Sequence, residues 1–233
     1  AIGDPVARFT EDKLRMLRAV RFTATFGFVL DSATAAAAWQ LRHQLNQVSV
    51  ERITQELKRM LSQSTREHSF RLLAQVALLP EVLPEIFDAG SMDVAKLTSV
   101  SRILHHLTSE RFEPAFALIL RTCLHAAPGK ESSTAIESVC RRLKMSNEET
   151  NCICWLASSL LVFADIRNKP LHVRKRLLAH PHFELLLEMS AAIAAAENRK
   201  ATDVQFCRHY LSSLKGNELC PPPLIDGQDL FVL

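Results

Sequence analysis

Glu11-Asp12-Lys13-Leu14-Arg15-Met16-Leu17-Arg18-Ala19-Val20-Arg21-Phe22 is the stretch from which the rest of this 233-residue chain is best approached. Leu14, Leu17, Val20 and Ala24 recur at helical spacing. The segment therefore predicts an amphipathic helix capped by Thr10, with Glu11 and Asp12 in its first turn and Gly27 at its end. On a wheel of about 100° per residue, Asp12 and Arg18 fall about 60° to either side of Arg15, opposite the apolar stripe. One carboxylate and two guanidinium groups then share a polar face, and Arg21 falls towards the flank of the apolar side.

Outward from this helix the punctuation stays helical. Asp31 or Ser32 starts an alanine-rich helix, and Ser49 caps another from Val50 to about Gln63, with Ile53, Leu57, Met60 and Leu61 at helical spacing. Amphipathic stretches follow near 65–78, 93–108, 113–126, 133–144, 147–164, 171–178, 182–197 and 202–213, with prolines between them or in their first turns. No alternating strand pattern stands out, and Cys220-Pro221-Pro222-Pro223 must be extended. Six glycines and one tyrosine in a chain rich in Ala and Leu suit the same conclusion: an all-α, elongated multi-helix bundle with a weak boundary near Pro128-Gly129-Lys130.

Composition removes several function classes. Hydrophobic residues at 48% and charged residues at 23% describe a globular chain with an ordinary core, not a disordered one. No apolar run of about eighteen residues predicts a membrane span, and nothing near Ala1 has the layout of a secretory signal. A net charge of +3 does not by itself announce a nucleic-acid binder. The six cysteines (123, 140, 152, 154, 207 and 220) lack a disulfide-like framework and read as reduced thiols of a cytoplasmic protein. Cys152-x-Cys154 is neither a redox nor a zinc motif.

The polar face of the first helix allows two readings. One is a solvated i,i+3 ion pair worth a few tenths of a kcal/mol. The other is a base reader. A carboxylate only accepts hydrogen bonds and a guanidinium only donates them, whereas cytosine and adenine each present an amino donor beside a ring-nitrogen acceptor. A fixed Asp12/Arg15 pair would accept C and A and leave buried groups unpaired against G and U.

Ile2-Gly3-Asp4-Pro5, Arg8-Phe9 and the stretch from Glu11 to Phe22 resemble the neck of bacterial CCA-adding tRNA nucleotidyltransferases and the related poly(A) polymerases, class II of the polymerase-β-like superfamily. The likeness continues through Gly27-Phe28, Asp31 and Thr34 and resumes at Ser49-Val50-Glu51-Arg52-Ile53-Thr54-Gln55-Glu56-Leu57. Pro221-Pro222-Pro223-Leu224-Ile225-Asp226-Gly227-Gln228-Asp229-Leu230 resembles the start of the family's tail. The resemblance implies residues 1–64 as neck, 65–216 as helical body and 217–233 as the start of a tail, with the catalytic head not represented. It assigns Asp12 and Arg15 to the base edge of incoming CTP or ATP, Arg18 and Arg21 to the nucleotide pocket, and Glu11, Arg52 and Glu56 to its support, the last two as an i,i+4 ion pair. It also implies Mg²⁺ held by the head and a tRNA acceptor end as partner. On that reading the chain alone is inert, and C and A addition belongs to the whole protein.

The alternatives from the same residues are a poly(A) polymerase or an A-only or CC-only adding enzyme, and a non-catalytic helical RNA- or protein-binding module. The metal hydrolase module of some relatives needs a His-Asp pair that His105-His106 and His125 do not supply. His180-Pro181-His182 reads as capping or solvent-exposed. Basic clusters at Arg141-Arg142-Lys144, Arg167-Lys169, Arg174-Lys175-Arg176 and Arg199-Lys200 are either solvated helix faces or a phosphate-holding stripe for tRNA, with Arg174, Lys175 and Arg176 the candidates named for RNA.

Overall fold

The computed structural model describes residues 3–87, 93–124, 130–214 and 218–219, with backbone alone for 130–132. The Pro128-Gly129 boundary, His125, and the tail from Cys220 onward lie outside the described residues. Thirteen α-helices are present among them: α1 Pro5–Glu11, α2 Arg15–Phe26, α3 Ser32–Leu41, α4 Val50–Leu61, α5 Arg66–Gln75, α6 Leu79–Val82, α7 Val94–His106, α8 Phe112–Cys123, α9 Lys130–Arg142, α10 Asn147–Phe163, α11 Leu171–Leu178, α12 Phe183–Ala196 and α13 Thr202–Ser213. Short 3-10 turns occupy Arg42–Gln47, Pro84–Ile86 and Ile166–Asn168, and no strand occurs among the described residues.

The first helix departs from expectation. Asp4-Pro5 is the stronger start signal: Asp4 accepts the N–H groups of Val6 (3.1 Å) and Ala7 (3.2 Å), and Pro5 at the first position needs no donor. Thr10 is thus inside α1, its hydroxyl donating to Val6 O at 2.8 Å, and caps nothing. The chain breaks at Asp12, which is extended (φ −143°, ψ 104°), before α2 begins at Arg15. At the far end of α2, Gly27 takes φ 65°, and the Phe28 N–H returns to Thr23 O at 3.0 Å, closing the helix as expected. Asp31 caps α3 by accepting from Thr34 N, and Ser146 caps α10 in a capping box with Glu149.

The buried faces determine the packing. On α2, Met16, Leu17, Val20, Thr23 and Ala24 turn inward, and the helix lies against α4 and α5, while α1 lies against α3. From Pro114 to Leu120 α8 is apolar and buried all round, so it forms the centre. α4, α7, α9, α10 and α12 pack around it. One continuous core runs from Phe9 to Cys207, and the division expected at residue 64 is not a gap in packing. Four cysteines sit in this core, and burial pushes their thiols up, Cys140 to about 12 and Cys123, Cys152 and Cys207 to about 11.

Polar bonds add specificity to the contact between the first helices and the rest. The buried Thr54 hydroxyl donates to Leu143 O at 2.8 Å, Lys58 pairs with Glu149, and Lys144 pairs with Glu51 at 2.6 Å. Arg66, fully buried, donates to Gln63 O and Leu107 O, both at 2.8 Å, tying the start of α5 to the end of α7. Burial raises the Glu149 pKa, but Lys58 and Ser146 outweigh it and hold the carboxyl below its ordinary 4.5. A lowered folded-state pKa gives stability that is present above the unfolded value and lost as pH falls through the folded one. Lys58→Met should therefore flatten the loss of stability on acidification below pH 4.5, read by urea unfolding at stepped pH. In the centre, Phe116→Ala should cost about 3–5 kcal/mol in the same assay, because the aromatic ring leaves a cavity on every side.

Candidate functional site

The strongest concentration of charge lies where α2 crosses α4. Glu56, only 1% exposed, accepts from Arg21 Nε at 2.7 Å, Arg59 Nη1 at 3.1 Å and Arg18 Nε at 3.3 Å. A carboxylate out of water is tolerated only when paired and hydrogen-bonded, and three guanidinium groups meet that condition. Arg21 also lies over the Phe22 ring, 4.2 Å from its centroid. The expected Arg52–Glu56 pair is not made. Arg52 instead reaches Asp12, its Nη2 3.4 Å from either carboxylate oxygen, because the break before α2 swings Asp12 towards α4. Asp12 is also 3.8 Å from Arg18 Nη1, and its Oδ1 accepts the Leu14 N–H at 3.2 Å, restarting the helix. A chain of alternating charge results: Arg52, Asp12, Arg18, Glu56, then Arg21 and Arg59.

Asp12 and Arg15 do not share a helix face, as the wheel required, since Asp12 is outside α2. Nor do they form the i,i+3 pair: Arg15 Nη1 donates to Glu11 Oε2 at 2.8 Å and to Arg8 O at 3.4 Å. Hydrogen bonds from Arg8 and Arg15 hold the Glu11 carboxyl below its usual range. Beside this network opens a cleft of about 680 Å³. Arg8, Arg15 and Arg18 line one part of it, and Phe22 and Phe28 another, with Asp31 and Thr34 at the start of α3. Arg15 and Arg18 are therefore on its wall, and Asp12 is adjacent through its contact with Arg18.

Sequence reading did not name the aromatic wall or Arg59 as site residues. The rings form a ladder, Phe22 to Phe26 at 5.9 Å and Phe26 to Phe28 at 5.5 Å, on a surface left open to solvent. Their signal was available as three phenylalanines around a helix-ending glycine. Arg59 was available as the i+3 neighbour of Glu56.

The RNA candidates on α11 are dispersed. Arg174 lies 5.9 Å from the ring centroids of both Phe206 and Tyr210, Lys175 donates to Glu218 O, and Arg176 is exposed. The other basic clusters are largely tied to acids: Arg141 to Glu137, Arg142 to Glu85, Arg167 to Asp203, Lys169 to Asp165 and Arg199 to Glu197. His180, expected to be capping or solvent-exposed, is half-buried just before α12. It stacks on Trp155, with centroids 3.7 Å apart and planes at 7°, and its Nδ1 accepts the His182 N–H at 3.2 Å. Among the described residues no group of three or more His, Cys, Asp or Glu could hold a metal ion, and no helix is long and apolar enough to cross a membrane.

The described residues define an all-helical protein with a guanidinium-lined cleft beside the crossing of α2 and α4, and comparison with known proteins narrows the class. Residues 27–89 match the family described as the probable RNA and SrmB-binding site of polymerase A. The CCA-adding enzyme of Lactococcus lactis subsp. lactis (strain IL1403) is 31% identical over 159 residues, 68% of this chain and 36% of that protein. The CCA-adding enzyme of Bacillus velezensis is 40% identical over 81 residues, 35% of this chain and 20% of that one. A solved structure titled tRNA-processing enzyme (apo form 2) superposes with a TM-score of 0.64 at 13% identity, covering 91% of this chain and 59% of that one, a likeness of fold. The chain belongs to the CCA-adding enzyme and poly(A) polymerase family and represents part of it, spanning about a third of the length of the Lactococcus relative.

Removing the buried charge should separate the two carboxylates of the network. Glu56→Gln is expected to cost about 2–3 kcal/mol, as three guanidiniums lose a charged acceptor. Asp12→Asn, at a more exposed site, should cost less than about 1 kcal/mol. Chemical denaturation of the two variants side by side checks the order.

Proposed function

We propose that this chain is the neck (1–64), body (65–216) and beginning of the tail (217–233) of a tRNA nucleotidyltransferase that adds C and A to tRNA 3′ ends from CTP and ATP. The observation that carries the reading is the cleft itself. Its volume suits a nucleoside, its guanidinium groups suit phosphate oxygens, and its phenylalanines offer faces for a base. The family membership of the chain supports the same substrate class.

In this reading Arg15 and Asp12 select the base. Arg15 is on the wall and exchanges its Glu11 partner for the acceptor atom of cytosine or adenine. Asp12 takes the exocyclic amino group. Guanine and uracil would face a donor with a donor, and the unpaired groups would be costly in a closed site. Arg18 stands between the two carboxylates of the network, while Arg21 and Glu56 fix the crossing of α2 on α4. Glu11 and Arg52 keep Arg15 and Asp12 ordered until the nucleotide arrives. The Mg²⁺ expected for such chemistry belongs to the head of the whole protein. The donor set described here does not fit a metal, so no step of this reading runs through one.

The polymerase A description of the matched family favours one competing reading, open-ended A addition. Incorporation by the full-length parent on tRNAs ending before CCA, after CC, and on an unrelated RNA distinguishes them. Ordered C, C, A addition followed by a stop is expected. Open-ended A addition to any RNA would replace this reading with poly(A) polymerase. Asp12→Ala and Arg15→Ala should each relax the preference for C and A over G and U by at least roughly tenfold. Unchanged preference with uniformly lower stability would reduce both residues to structural ion pairs.

A further inference from the structure

Trp39 is the bulkiest apolar side chain that α3 leaves in water, at 57% exposure. Its neighbours one turn earlier, Ala35 and Ala36, rise no higher than a methyl group, so nothing on that side shields the indole. One turn later Arg42 lies over the ring, its Cζ 4.5 Å from the centroid. That guanidinium is fixed in place: its Nη1 donates to Trp39 O at 2.6 Å, and its Nε is 3.9 Å from Glu81. Glu81 is more closely engaged by His43, 2.8 Å from Nδ1. The indole is thus held open with a cation already stacked on it. The ring does not line the base-reading cleft, whose α3 wall ends at Thr34.

We propose that Trp39 and Arg42 form a stacking contact for an unpaired nucleotide of bound RNA, outside the base-reading cleft. An indole offers any base a π-face, and a guanidinium pinned beside it offers N–H donors to the adjacent phosphate. Base-paired RNA buries its base faces in its own stack and cannot use such a contact. An apolar protein partner would fit the patch less well, because the nearby exposed residues Gln40 and His43 are polar and the alanines add little apolar area. The contact rests on the RNA-binding part of the function proposed above and is independent of base selection by Asp12 and Arg15.

The chain contains two tryptophans, so Trp155→Phe leaves Trp39 as the sole indole reporter. Titration with single-stranded oligoadenylate or oligocytidylate should quench its emission in a saturable way, and duplex RNA of equal length should not. With Trp155 retained, Trp39→Ala should weaken binding of labelled single-stranded RNA roughly tenfold, and Trp39→Phe much less. Circular dichroism should show both variants folded, since the side chain lies outside the core. RNA binding that leaves Trp39 emission and the Trp39→Ala affinity unchanged would overturn this contact alone and leave the surface to a protein partner. Failure to bind any RNA would overturn the contact together with the RNA-binding reading on which it rests.

Discussion

A carboxylate removed from water dominates the physics of this molecule's first sixty residues. Glu56 is buried at the crossing of α2 and α4, and each of the three guanidinium groups that satisfy it comes from a different helical position. The arrangement fixes how α2 lies on α4, because a slip of either helix would strand charge in a low-dielectric site. It also limits where Arg18 can be. Arg18 in turn contacts Asp12, which is held from the other side by Arg52. Packing, charge and the geometry of the cleft are therefore one problem with one solution.

The rest of the fold gives that crossing a rigid base. The middle of α8, Pro114 to Leu120, is buried on all sides, and α4 is packed directly against the helix. The Thr54–Leu143 bond and the Lys58–Glu149 and Lys144–Glu51 pairs connect α4 to the turn between α9 and α10. Exposed pairs such as Lys144–Glu51 contribute little stability, but they specify orientation around the apolar contact. What the surface leaves uncovered is equally specific: rings at Phe22, Phe26 and Phe28 on the cleft side, and an indole at Trp39 outside the cleft.

Most of the helices were legible in the sequence because their signals are local. Asp31, Ser146 and Gly27 act at the ends where caps and a left-handed residue were expected, or where a helix was expected to begin. The first break was misread for an equally local reason: Asp4-Pro5 starts a helix earlier than Thr10 does, so Asp12 falls in the gap and not on the wheel. The candidate residues were legible as types and not as partners. Arg15 belongs to Glu11, four positions away and within reach of helix reasoning, but Arg52 belongs to Asp12, forty positions away. The basic clusters taught the same lesson, since Arg142 reaches Glu85 and Arg167 reaches Asp203 through tertiary packing alone.

The most direct test is base choice by the full-length parent carrying Glu56→Gln, measured at a temperature where the variant stays folded. Glu56 does not line the cleft and meets its wall through the ion pair with Arg18. If the network positions the base reader, discrimination of C and A against G and U should fall roughly tenfold or more, in line with the loss of a charged hydrogen bond. A variant that loses stability yet discriminates as the parent does would contradict the account, leaving the buried carboxylate as a fastener between two helices and nothing else.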